Sequence, residues 1–139
     1  WEGCQEELGD MAFYIQKILN LYGVTNENQP DFEKFRPLVD EFLKADSNRF
    51  HSVMQRIQYR AGELLDVSKK MWVYEDQSKK NDVIANLYAL MGHVILYTMI
   101  NPEVGNIEYL RQQNRKKLSK RYPQGVFTNK DAQERKDKL

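Results

Sequence analysis

The sequence predicts an all-α protein, a helical bundle of about five helices that ends in an extended C-terminal tail. Apolar residues recur three and four positions apart through most of the chain, which is the period of an amphipathic helix. Runs in which apolar and polar residues alternate, as in a strand, are nearly absent. The links between the periodic segments are short, and this favours antiparallel packing of neighbouring helices.

Length and composition fit one domain. The chain has 139 residues, of which 41% are hydrophobic and 29% charged, enough for a hydrophobic core. The formal net charge of +1 indicates no particular partner, and the single Cys4 excludes an intrachain disulfide framework. No apolar run approaches the ~20 residues of a membrane span, so a cytoplasmic protein without a membrane partner is expected. Because the chain starts at Trp1 within a helical pattern, a truncated or processed product is one interpretation.

The first two helices are predicted from period and end signals. The first runs from about Glu2 to Tyr22, where Gly23 is a typical C-terminal signal. The second covers about Asp31 to Ala45, with Pro37 in its first turns or breaking it. The apolar stripe of the first helix consists of Leu8, Met11, Ile15, Ile18 and Leu19.

Three longer segments follow. A third helix begins after the turn and N-cap Asp46-Ser47-Asn48 and reaches about Trp72. A fourth runs from near Ser78 to Ile100, and a fifth from about Glu103 to Lys120. The tail from Gln124 is polar and predicted to be extended or to carry a short helical end. The third helix has at core spacing Phe50, Val53, Met54, Ile57, Ala61, Leu64, Leu65 and Met71.

An acidic cluster lies beside the apolar stripe of the first helix. Glu7 and Asp10 are three residues apart and Glu6 and Asp10 are four apart, so the carboxylates share one face. Like charges on one face repel, so we expect a positive partner there. A hard divalent cation such as Mg²⁺, or Mn²⁺ in its place, takes oxygen ligands. A solvated acidic face is the alternative interpretation.

Two other segments carry charge at informative spacing. Glu63 and Asp66 repeat the three-residue spacing on the third helix, although Asp66 is also placed to pair with Lys69 or Lys70. The fifth helix has a basic stretch that is typical of nucleic-acid binding. Cations late in a helix also complement its macrodipole or are simply solvated. The stretch comprises Arg111, Arg115, Lys116, Lys117, Lys120 and Arg121.

Three motifs give the chain a family resemblance. The first is Glu6-Glu7-Leu8-Gly9-Asp10 with Phe13-Tyr14, and the second is Ala61-Gly62-Glu63-Leu64-Leu65-Asp66 with Lys69-Lys70. The third consists of Asn114, Lys117, Leu118, Arg121, Tyr122, Pro123 and Phe127. Together they resemble the MazG-like nucleotide pyrophosphohydrolases, an all-α family related to the dimeric dUTPases and dCTP pyrophosphatases.

The order of the motifs departs from that family. The family has an EExxE helix before its ExxD helix, whereas the Glu63 segment here follows the Asp10 segment, and Arg60 occupies a position of a metal-binding Glu. Residues 89–97 keep the Gly and Tyr of the first motif but have lost its acids, with His93 in place of the Asp. We therefore interpret the chain as a half-repeat over 1–24, a degenerate full repeat over 31–123 and a tail over 124–139.

The resemblance implies Mg²⁺-dependent hydrolysis of a (deoxy)nucleoside triphosphate to a monophosphate and pyrophosphate, by a homodimer or homotetramer. The family uses at least four convergent carboxylates on two helices, which here would come from the first and third helices of one chain or of two chains. The implied metal ligands are Glu6, Glu7, Asp10, Glu63 and Asp66, of which Glu7, Asp10 and Glu63 are the implied catalytic residues. The implied substrate-binding residues are Tyr14, Lys70, Trp72, Asn114, Lys117 and Arg121.

Two other function classes stay open. With the ligands of its second repeat lost, the chain is alternatively a nucleotide-binding or oligomeric scaffold of the same fold. The third class is a small nucleic-acid-binding protein that uses the basic helix, which the resemblance does not favour. Tyr14, Trp72, Tyr74 and Tyr97 are spaced for packing as well as for stacking on a base, and His93 fits the edge of a core.

Overall fold

The computed structural model describes residues 2–25, 44 and 49–138. Within these ranges the helices are α1 (Glu2–Leu21), α2 (Arg49–Trp72), α3 (Lys80–Ile100), α4 (Ile107–Arg121) and α5 (Asn129–Glu134). Short 3₁₀ turns lie at Gln77–Lys79, Pro102–Val104 and Lys136–Lys138. The described ranges contain no strand, so the predicted all-α fold is confirmed. The predicted helix 31–45 and the turn 46–48 fall outside the described residues, except for residue 44.

Helix α1 packs one face into the core and stops at a well-defined signal. All five residues of its predicted apolar stripe are buried or packed against the core: Leu8, Met11, Ile15, Ile18 and Leu19. At its end the Val24 N–H donates to the Leu19 carbonyl and the Gly23 N–H to the Asn20 carbonyl, both at 3.0 Å. These two bonds form a Schellman motif, and Gly23 has the positive φ of +76° that the motif requires.

Helix α2 presents only part of its predicted core face to the interior. Leu65 is 73% exposed and Met54 and Ala61 are also exposed, so these three core predictions were wrong. Val67, which was not predicted, is buried instead. The buried members of α2 are Val53, Ile57, Val67 and Met71. The exposed residues form a second stripe on α2, shifted by one position from the buried stripe and with the same spacing. Helix α2 packs on α3 through the buried stripe.

Helix α3 is the central helix of the bundle. It packs against both α2 and α1, and residues along its whole length are buried, among them Val83, Leu87, Met91 and Val94. Contrary to the sequence-based expectation, the stretch Gln77–Ile100 is long and apolar enough to cross a membrane. Half of its most apolar 18-residue stretch is buried inside the bundle. The core helix of a soluble protein can be equally long and apolar, so these two properties do not distinguish it from a membrane span.

Helix α4 begins four residues later than predicted. Gly105, at a φ of +90°, separates the Pro102–Val104 turn from the helix. The side chain of Asn106 then caps the helix by accepting a hydrogen bond from the Tyr109 N–H at 2.8 Å. α4 packs on α1, and this pair of helices positions the site described next.

The C-terminal tail contains the short helical end that the sequence allowed, and it folds back onto the bundle. Thr128 caps α5 by accepting a hydrogen bond from the Asp131 N–H at 3.0 Å. The last turn, Lys136–Lys138, contacts α4, and Lys138 reaches Glu6 on α1. The tail is therefore part of the folded domain rather than an extension from it.

Candidate functional site

Gly9 sets the distance between α1 and α4. A Cβ on this residue would lie 3.1 Å from the backbone carbonyl oxygen of Leu110 and 3.5 Å from the Cβ of Asn114. Such spacing is tighter than most side chains tolerate, so the absent side chain lets the two helices approach closely. This approach brings the acidic face of α1 against the polar face of α4.

Asp10 is the centre of the resulting polar cluster. Its carboxylate oxygen Oδ1 accepts hydrogen bonds from Asn114 Nδ2 and from the Lys117 ammonium, although the partners are more than a hundred residues away in sequence. Lys117 is only 14% exposed and Asn114 is buried. Asn114 Oδ1 is also buried and has no hydrogen-bond partner within the described part of the chain.

Glu6 shares the Lys117 ammonium with Asp10. Its Oε1 lies 3.6 Å from Lys117 Nζ, and its Oε2 accepts a hydrogen bond from Lys138 Nζ at 2.7 Å. The hydrogen bond from Lys138, aided by the charge of Lys117, lowers the pKa of the Glu6 carboxyl. The positive partner expected for the acidic face is thus supplied, in this structure, by two lysines.

Arg121, the last residue of α4, binds the C-terminal 3₁₀ turn Lys136–Lys138. Its guanidinium donates two hydrogen bonds to the Asp137 carboxylate, whose side chain is almost fully buried. The pair lies at the edge of the site, because Asp137 also lines the cavity between α1, α4 and the last turn. Arg121 therefore anchors the wall of the cavity through Asp137.

The cavity has a volume of about 620 Å³, within the range of small-molecule sites. Its charged lining consists of the four lysines Lys116, Lys117, Lys120 and Lys138 and of the two acids Glu6 and Asp137. Glu6 is paired with Lys138 and Asp137 with Arg121, so neither acid neutralises Lys116 or Lys120. The cavity therefore has an excess of positive charge. We call it the α1–α4 cleft. A site of this charge and size suits an anionic ligand.

Of the predicted site residues, Glu6, Asn114 and Lys117 line the cleft. Asp10 and Arg121 do not line it but form hydrogen bonds with residues that do, and the remaining predicted residues lie elsewhere. Glu7 and Tyr14 are exposed on α1, and Trp72 is exposed at the end of α2. Glu63 is half-buried on α2. Asp66 accepts a hydrogen bond from Lys70 at 2.7 Å, which is one of the two pairings considered for it, and this bond raises the pKa of Lys70.

Within the described residues of one chain, no three acidic, histidine or cysteine side chains come together to hold a metal ion. The composite site of Glu7 and Asp10 with Glu63 and Asp66 is therefore not formed by that part of a single chain. Its formation between two chains, and the binding of Mg²⁺, stay predictions.

Six cleft residues had not been singled out as candidates from the sequence: Gln5, Tyr109, Gln113, Ser119, Asp137 and Lys138. The two C-terminal residues lie in a segment predicted to be extended, so nothing indicated that they return to α1. Tyr109 and Gln113 stand on the same helical face as Lys116 and Lys120, at steps of four, three and four residues. That periodicity is readable from the sequence and was the available signal.

Comparison of the chain with protein-family models, with curated proteins and with solved structures found no match. The site must therefore be interpreted from its own geometry. Half of the basic stretch is occupied within the chain, since Lys117 binds Asp10, Arg121 binds Asp137 and Arg115 binds Glu108 at 2.9 Å. This reduces the charge available to a nucleic-acid backbone. Of the three remaining cations of the stretch, Lys116 and Lys120 line the cleft.

Proposed function

We propose that this chain is a MazG-like nucleotide pyrophosphohydrolase whose α1–α4 cleft binds the phosphate chain of a (deoxy)nucleoside triphosphate. The reaction is attack of water on that chain, which releases a monophosphate and pyrophosphate. One observation carries the proposal: the motif around Asp10 and the motif of Asn114 and Lys117 meet in a single site. These are two of the motifs on which the family resemblance depends.

The charge of the cleft supports a phosphate ligand. A triphosphate carries three to four negative charges, and the cleft presents Lys116 and Lys120 in addition to the paired Lys117 and Lys138. Lysine binds phosphate as a compact point charge, without requiring the planar geometry of arginine. Lys120 also lies in the last turn of α4, where a cation is stabilised by the helix dipole.

The oxygen donors at the cleft fit Mg²⁺ that is held jointly with substrate phosphates. Mg²⁺ in nucleotide sites commonly takes one or two carboxylates, with phosphates and water completing its shell. Glu6 and Asp10 already converge on one cation, the Lys117 ammonium, and Asn114 supplies a buried oxygen without a partner in the described chain. When bound, Mg²⁺ would neutralise phosphate charge and activate the attacking water.

The protein groups have separate roles in this proposal. Lys117 and Lys138 neutralise Glu6 and Asp10 in the free chain and are placed to bind phosphate oxygens when a ligand enters. Asn114 orients Asp10 through its amide hydrogen bond. Arg121 acts through Asp137, by holding the last turn against the cleft.

The test is release of pyrophosphate from a panel of ribo- and deoxyribonucleoside triphosphates with Mg²⁺ or Mn²⁺. We expect Asp10→Asn and Lys117→Gln to lower kcat/KM by roughly 100-fold or more, as loss of an electrostatic catalytic group does. Glu103→Gln and Lys130→Gln, at exposed positions outside the cleft, are the matched controls and should retain activity. Absence of pyrophosphate release with every nucleotide would end the hydrolase proposal.

A second candidate is a nucleotide-binding member of the same fold without hydrolysis. It is favoured by the lack of a three-acid group within the described residues and by the lysines that already neutralise Glu6 and Asp10. Pyrophosphate release separates the two candidates, because the cleft lysines would bind phosphate in both. Thermal-shift assays with nucleotide in EDTA test the second candidate on its own. If the chain binds nucleotide without hydrolysing it, nucleotide should raise its melting temperature in the absence of metal. Lys117→Gln should remove this increase.

A further inference from the structure

The wall of the α1–α4 cleft changes in chemical character along α4. Tyr109, Gln113, Lys116 and Lys120 all line the cleft and fall at steps of four, three and four residues, which places them on one helical face. At a rise of 1.5 Å per residue, the stripe from Tyr109 to Lys120 extends about 16 Å. An aromatic ring thus lies at one end of the stripe, an amide follows it, and two ammonium groups occupy the other end.

The Tyr109 ring is held in place by its own neighbours. A Cβ on Gly105 would lie 2.5 Å from Tyr109 Cδ1, so the ring occupies the space that a side chain at position 105 would fill. The Tyr109 N–H is bound by the Asn106 cap, which fixes the start of α4. Despite these restraints the residue keeps 41% of its surface exposed. The cleft therefore contains a positioned and accessible aromatic surface.

The neighbouring amides are available to a ligand. Gln113 stands one turn after Tyr109, and Gln5 lines the cleft from α1. Both glutamines are partly exposed and line the cleft, so their amides are accessible to a ligand. A glutamine amide offers both donors and an acceptor, which is what the edge of a nucleobase requires.

We propose that Tyr109 is the base-stacking platform of the cleft and that Gln5 and Gln113 bind the edge of the stacked base. The inference rests on the proposed function and specifies it: the ligand is a nucleoside triphosphate, with its base at Tyr109 and its phosphates at the lysines. An inorganic polyphosphate would use only the lysine end. The order along α4 fits the order of base, sugar and phosphates in a nucleotide.

The test measures binding of two probes by isothermal titration calorimetry. The probes are the α,β-imido analogues of the deoxyribonucleoside triphosphates and inorganic tripolyphosphate. We expect Tyr109→Ala to weaken nucleotide binding about tenfold or more and to leave tripolyphosphate binding unchanged, because stacking on an aromatic ring contributes only to the nucleotide. Tyr109→Phe should bind like wild type, and Tyr59→Ala, an exposed tyrosine on α2, is the matched control.

The possible results separate this inference from the proposed function. If Tyr109→Ala binds nucleotide as tightly as wild type, or loses both probes equally, the stacking role is wrong while phosphate binding stands. If wild type binds neither probe, both proposals are wrong. For the amides, Gln113→Leu should reduce the difference in affinity among the bases, and an unchanged ranking and spread would overturn the edge-binding role.

Discussion

Arg121 and Asp137 form a bidentate ion pair, with guanidinium Nε donating to Oδ1 at 2.7 Å and a terminal nitrogen donating to Oδ2 at 2.6 Å. The Asp137 side chain is 1% exposed and that of Arg121 is 17% exposed. Two parallel charge-assisted bonds in a shielded place are among the stronger polar contacts in proteins. The pair joins the last turn of α4 to the last 3₁₀ turn, so it fixes the C-terminal segment over the cleft.

Breaking this pair is expected to release the segment after α4. In Asp137→Asn the carboxylate becomes a neutral amide, and Arg121 loses its charge partner. A hydrogen bond to a charged group contributes about 1.5–3 kcal/mol, so trypsin cleavage after Lys130 and Arg135 should be at least about tenfold faster. Asp82→Asn, at an exposed site at the start of α3, is the control. Equal cleavage rates in both variants would contradict the anchoring role.

The same pair predicts a pH dependence with a definite sign. The hydrogen bonds from Arg121 lower the pKa of Asp137 from 3.8 to about 2, and the pKa of Arg121 is raised in return. Since the folded chain favours the carboxylate, the stabilisation is fully present above pH 3.8 and is lost as the pH falls through about 2. A ¹³C-NMR titration of the Asp137 carboxyl group should therefore have its midpoint near 2. A midpoint near 3.8 would mean that the pair does not form in solution.

The helix ends were largely predictable from sequence because each has a local chemical cause. Gly23 closes α1 in a Schellman motif, and Asn106 caps α4 with its own side chain. The start of α4 was misplaced because Pro102 and Glu103 are typical of a first helical turn, whereas Gly105 takes a φ that interrupts it. Local signals therefore predicted the four long helices of the described ranges, with an error of a few residues at the start of α4.

The burial of α2 and the composition of the site depend on contacts between distant residues. On α2, the stripe of Val53 and Ile57 and the stripe of Met54 and Leu65 have the same period, so periodicity alone does not select the buried one. The family resemblance implied that Asp10 and Lys117 serve one site, as metal ligand and substrate-binding residue, but not that they pair with each other. No pattern in the sequence indicates that Lys138 returns to Glu6.

Gly9 and Gly62 offer a matched pair of substitutions, because both are helical glycines in motifs of the family resemblance. A Cβ at Gly9 would lie 3.1 Å from the Leu110 carbonyl, so Gly9→Ala should destabilise the fold by about 1–3 kcal/mol. Gly62 has no atom within 4 Å of the same point, so Gly62→Ala should stabilise the fold by about 0.5–1 kcal/mol through helix propensity. Urea denaturation measures both free energies, and a Gly9→Ala variant as stable as wild type would refute the close approach of α1 and α4.

The exposed stripe of α2 is the surface on which we expect a second copy of the chain to pack, if the chain forms the homodimer or homotetramer that the family resemblance implies. Met54, Leu65 and Trp72 lie on one helical face and are all exposed. Burying one leucine side chain contributes about 1.5–3 kcal/mol, so Leu65→Lys should weaken self-association by at least about tenfold. Sedimentation velocity over a concentration series measures this, with Leu21→Lys, at another exposed leucine, as the control. A wild-type chain that stays monomeric, or two lysine variants that associate equally well, would show that this stripe is not the interface.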